Sequence, residues 1–360
     1  MKTPRIELDL AKIHENAKML TERLSVRGIG VMGVTKVMLG EPQVARALIS
    51  ASIRMIGDSR LENINRMKES GIDACFVLIR SPFKSQAAEV VASTHISFNT
   101  ELSVIKALSR AAVGQKLTHQ IVLMVEMGDL REGVLKRHVA DLIGHVINLE
   151  GIKLIGLGTN LACFGGVKPD TKNMQALSML TTDMESKFNI HLGMVSGGNS
   201  ANFDWLSKTR DVGRINNLRL GEAIFLGIET LHRTPIEGLH LDSITLISEV
   251  IESKIKPSLP VGERGENAFG QRDTFIDKGN ICRTIVGMGR QDVDVSGLTP
   301  IGDFDILGSS SDHVILDSTR TSIKVGDHVR FKLNYSSLLT AMTSTFVKKV
   351  FLNLSTSSTC

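Results

Sequence analysis

The chain has 360 residues, a net charge of +4, 42% hydrophobic and 22% charged residues. This is an ordinary globular balance, long enough for one large domain with a smaller companion. The positive charge is slight and spread out, and Trp205 and Tyr335 are the only residues of their types, so neither a basic patch nor a stacking surface for nucleic acid is present. No run is long and apolar enough to span a bilayer. The start, Met1-Lys2-Thr3-Pro4-Arg5, leads into an amphipathic segment and lacks the apolar core of a signal peptide. Cys75, Cys163, Cys282 and Cys360 show neither metal-like pairing nor a disulfide framework. The expectation is a cytoplasmic protein with reduced thiols.

In chain order, Ile6-Glu7-Leu8-Asp9-Leu10 alternates like a half-buried strand, and Ile13, Ala17, Leu20 and Leu24 have helical spacing. A short β-branched run, a turn and an amphipathic helix then recur. The runs cover residues 29–35, 54–57, 74–79, 95–98, 120–125, 152–158, 192–196 and 217–220. Helical patterns lie between them at 42–51, with Pro in the first turn, and at 61–69, 101–111, 138–148 and 174–188. Eight strands with helical crossovers predict an α/β chain built on a (β/α)8 TIM-type barrel; a doubly wound sheet is the alternative, but no glycine fingerprint follows the first strand. Near Thr230 the texture changes to β-branched runs separated by turns, at 244–251, 283–286, 313–316 and 328–333, without long helical patterns. The expected division is a barrel over 1–230, with residues 1–12 candidates to join the second part, a C-terminal β domain over 231–354, and an unstructured polar tail at 355–360.

Barrel enzymes place their chemistry at the C-terminal strand ends. Those ends carry Lys36, Asp58, Arg80, Asn99, Arg131, Asn160, Ser196-Gly197-Gly198-Asn199-Ser200 and Arg219-Leu220-Gly221. Lys36 is the only charged residue between Gly28 and Gly40. Burial disfavours an ammonium ion, and a neutral amine is what imine chemistry requires; the bland alternative is a strand-end lysine that snorkels into water. Gly197 and Gly198 allow close backbone approach, and a helix starting within 201–206, preceded by Asn and Ser donors, suits a phosphate. Gly221 offers a second set of amides. Singly, each is as readily a turn glycine or a helix cap. Together, an imine-forming lysine and a phosphate cradle on one rim match the needs of pyridoxal 5'-phosphate.

The chain resembles the alanine racemase-like, pyridoxal-phosphate-dependent enzymes of fold type III, and among them the ornithine racemase branch. The segments are Gly33-Val34-Thr35-Lys36, Gly57-Asp58-Ser59-Arg60, Met127-Gly128-Asp129-Leu130-Arg131-Glu132-Gly133, Thr159-Asn160-Leu161-Ala162-Cys163, Val195-Ser196-Gly197-Gly198-Asn199-Ser200, Leu218-Arg219-Leu220-Gly221-Glu222, Pro257-Ser258-Leu259-Pro260-Val261-Gly262-Glu263, Ser310-Ser311-Asp312-His313 and Asn334-Tyr335. The resemblance implies that Lys36 is the Schiff-base lysine. It implies that Ser200, beside Asn199, with the amides of Gly221 and Glu222 and the Tyr335 phenol, holds the phosphate. Arg131 then faces the ring hydroxyl, Asn160 stands where the family stacks a residue on the ring, and Arg219 faces the pyridine nitrogen. An arginine there limits charge delocalisation into the ring, which favours proton removal and return over decarboxylation.

Two departures follow from the same resemblance. The family's second acid/base, a tyrosine from the partner subunit, aligns with Phe269, which carries no proton. Asp312 and His313 are the leading substitutes, ahead of Cys282, although a histidine opening a strand is also a common structural residue. The family's carbamylated lysine is replaced by Met124, so Arg131 needs another anchor, Glu126 or Asp129. The segment Gly289-Arg290-Gln291-Asp292-Val293-Asp294 aligns with the family's entrance. In an extended segment Asp292 and Asp294 point the same way and could take the distal ammonium of ornithine or lysine, or form a solvated acidic loop. The expected activity is racemisation of ornithine, lysine or another basic amino acid by a homodimer with shared sites. The alternatives are alanine racemisation, basic amino acid decarboxylation, a cofactor-free Schiff-base aldolase and a non-catalytic pyridoxal-phosphate homeostasis protein, which lacks a β domain.

Overall fold

A computed structural model describes residues 2–272 and 274–353; the expected tail at 355–360 and Cys360 lie outside the described residues. The chain divides into two units, Leu10–Leu241 and a second formed by Met1–Asp9 with Asp242–Cys360. The division falls beyond Thr230 because residues after it return to the first helix of the larger unit. Asn16 Nδ2 donates to the carbonyls of Ile224 and His240, and Asn16 Oδ1 accepts from the His240 amide.

The chain opens with β1 (Arg5–Asp9) and α1 (Leu10–Ser25), which buries Ile13, Ala17, Leu20 and Leu24 as their spacing predicts. The larger unit continues through β2 (Gly30–Val34), α2 (Pro42–Ser50), β3 (Met55–Asp58), α3 (Leu61–Glu69), β4 (Cys75–Leu78), α4 (Ala87–Ser93), β5 (Ile96–Asn99), α5 (Leu102–Gln115) and β6 (His119–Glu126). A two-residue β7 (Val134–Leu135) precedes α6 (Lys136–Val146), β8 (Ile152–Gly158), α7 (Thr171–Phe188), β9 (Met194–Ser196), α8 (Asn202–Lys208), β10 (Asn217–Leu220) and α9 (Glu222–Leu226). The parallel order β5-β4-β3-β2-β10-β9-β8-β6 is closed by pairing of β5 with β6, which makes the eight-stranded TIM-type barrel. Met32, Val77, Ile96, Phe98, Val122 and Met124 interlock in one apolar cluster. Short α4 escapes the periodicity reading because seven residues give less than two full turns of pattern.

The smaller unit contains β11 (Ile244–Pro257), β12 (Asn280–Val286), β13 (Leu298–Ile301), β14 (Asp305–Ser309), β15 (Val314–Asp317), β16 (His328–Leu333), α10 (Tyr335–Thr343) and β17 (Lys348–Leu352). Its sheet runs β13-β16-β11-β12-β15-β14, with β1 antiparallel to β11 and parallel to β17. Long helical patterns are absent here as expected, and the short helix α10 is capped by Asn334, whose side chain accepts from the Ser337 amide.

At the start of β6, His119 is 2% exposed and bonded to Ser97 Oγ at 2.8 Å. Burial, aided by nearby His95, lowers its pKa from 6.5 to about 4. The folded state thus binds this proton less readily than the unfolded chain, and stability falls as pH drops from about 6.5 towards 4. The full difference is about 3 kcal/mol. Urea unfolding at pH 7.5 and 4.5 is expected to show this loss, and a His119→Gln variant is expected to show a flatter pH dependence.

Candidate active site

Lys36 sits two residues beyond β2, half-buried, and opens a single 3-10 turn, Lys36–Met38. The turn is fixed from below: buried Thr35 donates through Oγ1 to Asp58 Oδ2 at 2.8 Å. Asp58 also accepts from Asn63 Nδ2 at 2.9 Å and the Arg60 amide at 3.0 Å, and burial still raises its carboxyl pKa. Asp58 therefore ties the ends of β2 and β3 to α3. Two other strand-end residues have local partners: Asn99 Nδ2 donates back to Ser97, and the Arg80 guanidinium stacks 4.4 Å from the Phe83 ring.

Arg219 comes from the inner face of β10 and is 6% exposed. Its NH1 donates to Ser196 Oγ at 2.7 Å, and its NH2 donates to the Thr159 carbonyl at 2.8 Å and Asn160 Oδ1 at 2.9 Å. The guanidinium also lies 5.3 Å from the Phe98 ring. Burial pushes its pKa down to about 10, so it keeps its charge at neutral pH. Asn199 Nδ2 donates to Asn160 Oδ1 at 3.1 Å and the Leu161 carbonyl at 2.9 Å, bracing the two loops together. Asn160 Nδ2 is buried without a partner among the described residues.

The phosphate loop is more self-contained than its composition suggests. The Asn199 amide is taken by Asn202 Oδ1 and the Ala201 amide by Asn199 Oδ1. Gly198 has φ +143, and a Cβ there would lie 2.3 Å from Asn202 Oδ1, so the turn requires glycine. Ser200 Oγ accepts from the Ala223 amide at 3.1 Å, joining this loop to the turn at Gly221 and Glu222 and leaving the hydroxyl proton available.

Arg131 is anchored differently from the sequence expectation. Glu126 accepts from the amides of Gly128 and Leu130, and Asp129, 1% exposed, accepts from the amides of Cys163, Phe164 and Val167. Both carboxylates are consumed by backbone amides, and Arg131 instead forms a two-pronged pair with the adjacent Glu132. Met124 packs in the barrel's apolar cluster, so no charge remains at that position. The pinning role of Asp129 was hidden in the sequence because its partners lie more than thirty residues away. Asp129→Ala is expected to speed hydrogen exchange at the Cys163, Phe164 and Val167 amides and to cost about 3 kcal/mol of stability.

The smaller unit carries the remaining predicted residues. The segment containing Asp292 and Asp294 is not extended: the Asp292 and Val293 amides both donate to the Gly289 carbonyl. Buried Asp292 accepts from the Gly289 amide at 2.9 Å, and burial raises its pKa. Asp294 caps the turn Val295–Gly297 and accepts from Ser296 and Ser336, bonds that lower its pKa. The common orientation expected of the two carboxylates fails because the chain turns between them. Asp294 instead clamps the start of α10, where Tyr335 is the first residue.

Asp312 is exposed and accepts from Gln291 Nε2 and Ser311 Oγ. His313 is half-buried, with Nδ1 3.3 Å from Ser310 Oγ. A Cβ at Gly289 would lie 2.2 Å from the Ser311 carbonyl oxygen, so glycine lets the two turns pack. On the same face Arg290 stacks 3.9 Å from the Phe269 ring and donates to Ser309 Oγ. Cys282 is elsewhere, between β-sheet hydroxyls: Ser318 and Ser253 bonds lower its pKa.

The larger unit thus gathers Lys36, Arg131, Asn160, Asn199, Ser200, Arg219, Gly221 and Glu222, and the smaller one carries Asp292, Asp294, Asp312, His313 and Tyr335. The barrel donors fit pyridoxal 5'-phosphate: an amine, a hydroxyl beside the Gly221 turn, a buried guanidinium, and an amide donor at Asn160 that lacks a partner. Residues 8–228 match the family described as alanine racemase, N-terminal domain. A lysine racemase from Thermotoga maritima is 38% identical over 97% of this chain and 98% of its own. An ornithine racemase from Acetoanaerobium sticklandii is 37% identical over 97% and 99%. The crystal structure of an alanine racemase from a D-cycloserine-producing Streptomyces lavendulae shares the fold, with a TM-score of 0.76 at 16% identity over 98% of both chains. The chain belongs to the alanine racemase N-terminal domain family, whose enzymes use pyridoxal phosphate.

Proposed function

We propose that this pyridoxal-phosphate-dependent amino acid racemase acts on basic amino acids, ornithine first and lysine next, as a homodimer. The observation that carries the substrate reading is the near-full-length identity to a lysine racemase and an ornithine racemase. The buried Arg219 favours racemisation over decarboxylation. The cofactor, which Lys36, Ser200 and the amides of Gly221 and Glu222 would hold, would supply an electron sink that acidifies the substrate's α-carbon proton. Arg219, which keeps its own proton, would leave the ring nitrogen unprotonated and so limit that sink. Arg131, paired with Glu132, would serve the ring hydroxyl. Lys36 removes or returns the proton on one face.

For the opposite face we propose Asp312 or His313 of the second subunit. Dimerisation is supported by exposed Ile251, Ile255, Val261, Phe269, Phe275 and Ile276, an apolar concentration that a second copy would cover. His313→Asn and Asp312→Asn, assayed separately in heavy water, are expected to single out one residue whose loss stops α-proton exchange from one enantiomer only. Exchange from both enantiomers in both variants would place the second base elsewhere. The substrate reading is tested by kcat/KM for L-ornithine, L-lysine and L-alanine. A basic substrate is expected to lead alanine by about tenfold or more, the scale of one lost charged contact; alanine in front would contradict it.

A further inference from the structure

The turn after β10 carries a carboxylate that binding an anionic cofactor does not require. Glu222 follows Gly221 directly, and its side chain is 11% exposed. Leu220 pairs with Gly33, so the ends of β10 and β2 lie side by side, and an ideal Cβ on Gly221 would be 3.1 Å from the Val34 carbonyl oxygen. Glu222 and Lys36 therefore leave adjacent strand ends. Burial raises the Glu222 pKa, opposed by Arg233 and Lys36 and reinforced by Glu229.

Arg233 reaches Glu222 from a loop built to deliver it. Buried Glu229 accepts from the amides of Leu231, His232 and Thr234 and from the Thr234 hydroxyl, and its own amide donates to the Thr234 carbonyl. Arg233 itself adopts φ +60, a left-handed conformation that costs energy in a residue with a side chain. From there its NH1 donates to Glu222 Oε1. A left-handed residue on a tightly bonded loop thus aims its guanidinium at a largely covered carboxylate.

We propose that Glu222 is a positioning residue that holds positive charge at the Lys36 nitrogen, and that Arg233 neutralises Glu222 so the neighbouring turn still accepts a phosphate. The proposal rests on the assignment of Lys36 and Gly221 to the cofactor site. An unpaired carboxylate beside a phosphate dianion would repel it; pairing with Arg233 offsets that repulsion and leaves Lys36 a weakened but still negative neighbour.

Borohydride trapping of pyridoxal 5'-phosphate on Lys36, located by peptide mass mapping, first checks the underlying assignment; a label on another lysine would overturn that assignment and this proposal with it. With Lys36 labelled, two readings decide the proposal: the Kd of pyridoxal 5'-phosphate for the apoenzyme, from fluorescence quenching, and the pH midpoint of the bound cofactor's absorbance. Glu222→Gln is expected to lower the midpoint by about one unit, because an anion that favours the protonated nitrogen is gone. Arg233→Ala is expected to raise the midpoint and weaken cofactor binding about tenfold. Arg233→Lys, which keeps the charge, is expected to stay close to the parent on both readings. The double variant Glu222→Gln/Arg233→Ala is expected to recover the parent's cofactor affinity, since the charge needing neutralisation is absent. An unmoved midpoint in Glu222→Gln, or equal loss from Arg233→Ala with and without Glu222, would overturn the proposal.

Discussion

Replacing Lys36 with alanine is expected to abolish racemisation, with a fall in kcat/KM of about a thousandfold or more, the scale of losing a proton-transferring group that also tethers the cofactor. The substitution truncates a half-buried side chain in a one-turn helix, and the Thr35–Asp58 hydrogen bond beneath it is untouched, so the fold should be retained. Circular dichroism and urea unfolding matching the parent, with no α-proton exchange from either enantiomer, is the predicted result. Exchange from one enantiomer at the parent's rate would show that Lys36 serves neither as tether nor as base on that face.

The second large effect is expected at Arg219. Arg219→Glu would place a carboxylate against the Thr159 carbonyl and Asn160 Oδ1, both acceptors now served by the guanidinium. Three acceptors would each lose a hydrogen bond and the new buried carboxylate would have no cation beside it, at about 3 kcal/mol or more. On the proposed assignment of Arg219 to the ring nitrogen the charge there would also be reversed, and racemisation is expected to fall about a hundredfold. Urea unfolding and kcat measure the two effects separately, and putrescine formed from ornithine is measured alongside. Parent-like racemisation in Arg219→Glu would remove the charge at β10 from the account of reaction choice.

The barrel was legible because eight short β-branched runs recur with amphipathic helical patterns between most of them, and because the interior residues Met32, Val77, Phe98, Val122 and Met124 fall on those runs. At its rim the residue types raised the candidates: a lone lysine at Lys36 and a buried arginine at Arg219 are costly at strand ends unless something uses them. What the sequence concealed was partnership. Asp129 and Glu126 look like anchors for Arg131, yet backbone amides from their own and a distant loop take both carboxylates, and the adjacent Glu132 pairs with the arginine. Asp292 and Asp294 look parallel only if the backbone is extended; Asp292 lies inside the turn that starts at Gly289, and Asp294 caps the next turn. The Glu222–Arg233 pair was invisible for a related reason: it depends on one left-handed residue in a loop whose geometry Glu229 sets.

The most direct test of the central claim is proton NMR of L-ornithine with the protein and pyridoxal 5'-phosphate in heavy water, following the α-proton and the chirality of the product. Loss of the α signal with growth of the D enantiomer, absent in Lys36→Ala, is the predicted result. An α-proton that stays in place with ornithine, lysine, arginine and alanine alike would contradict it.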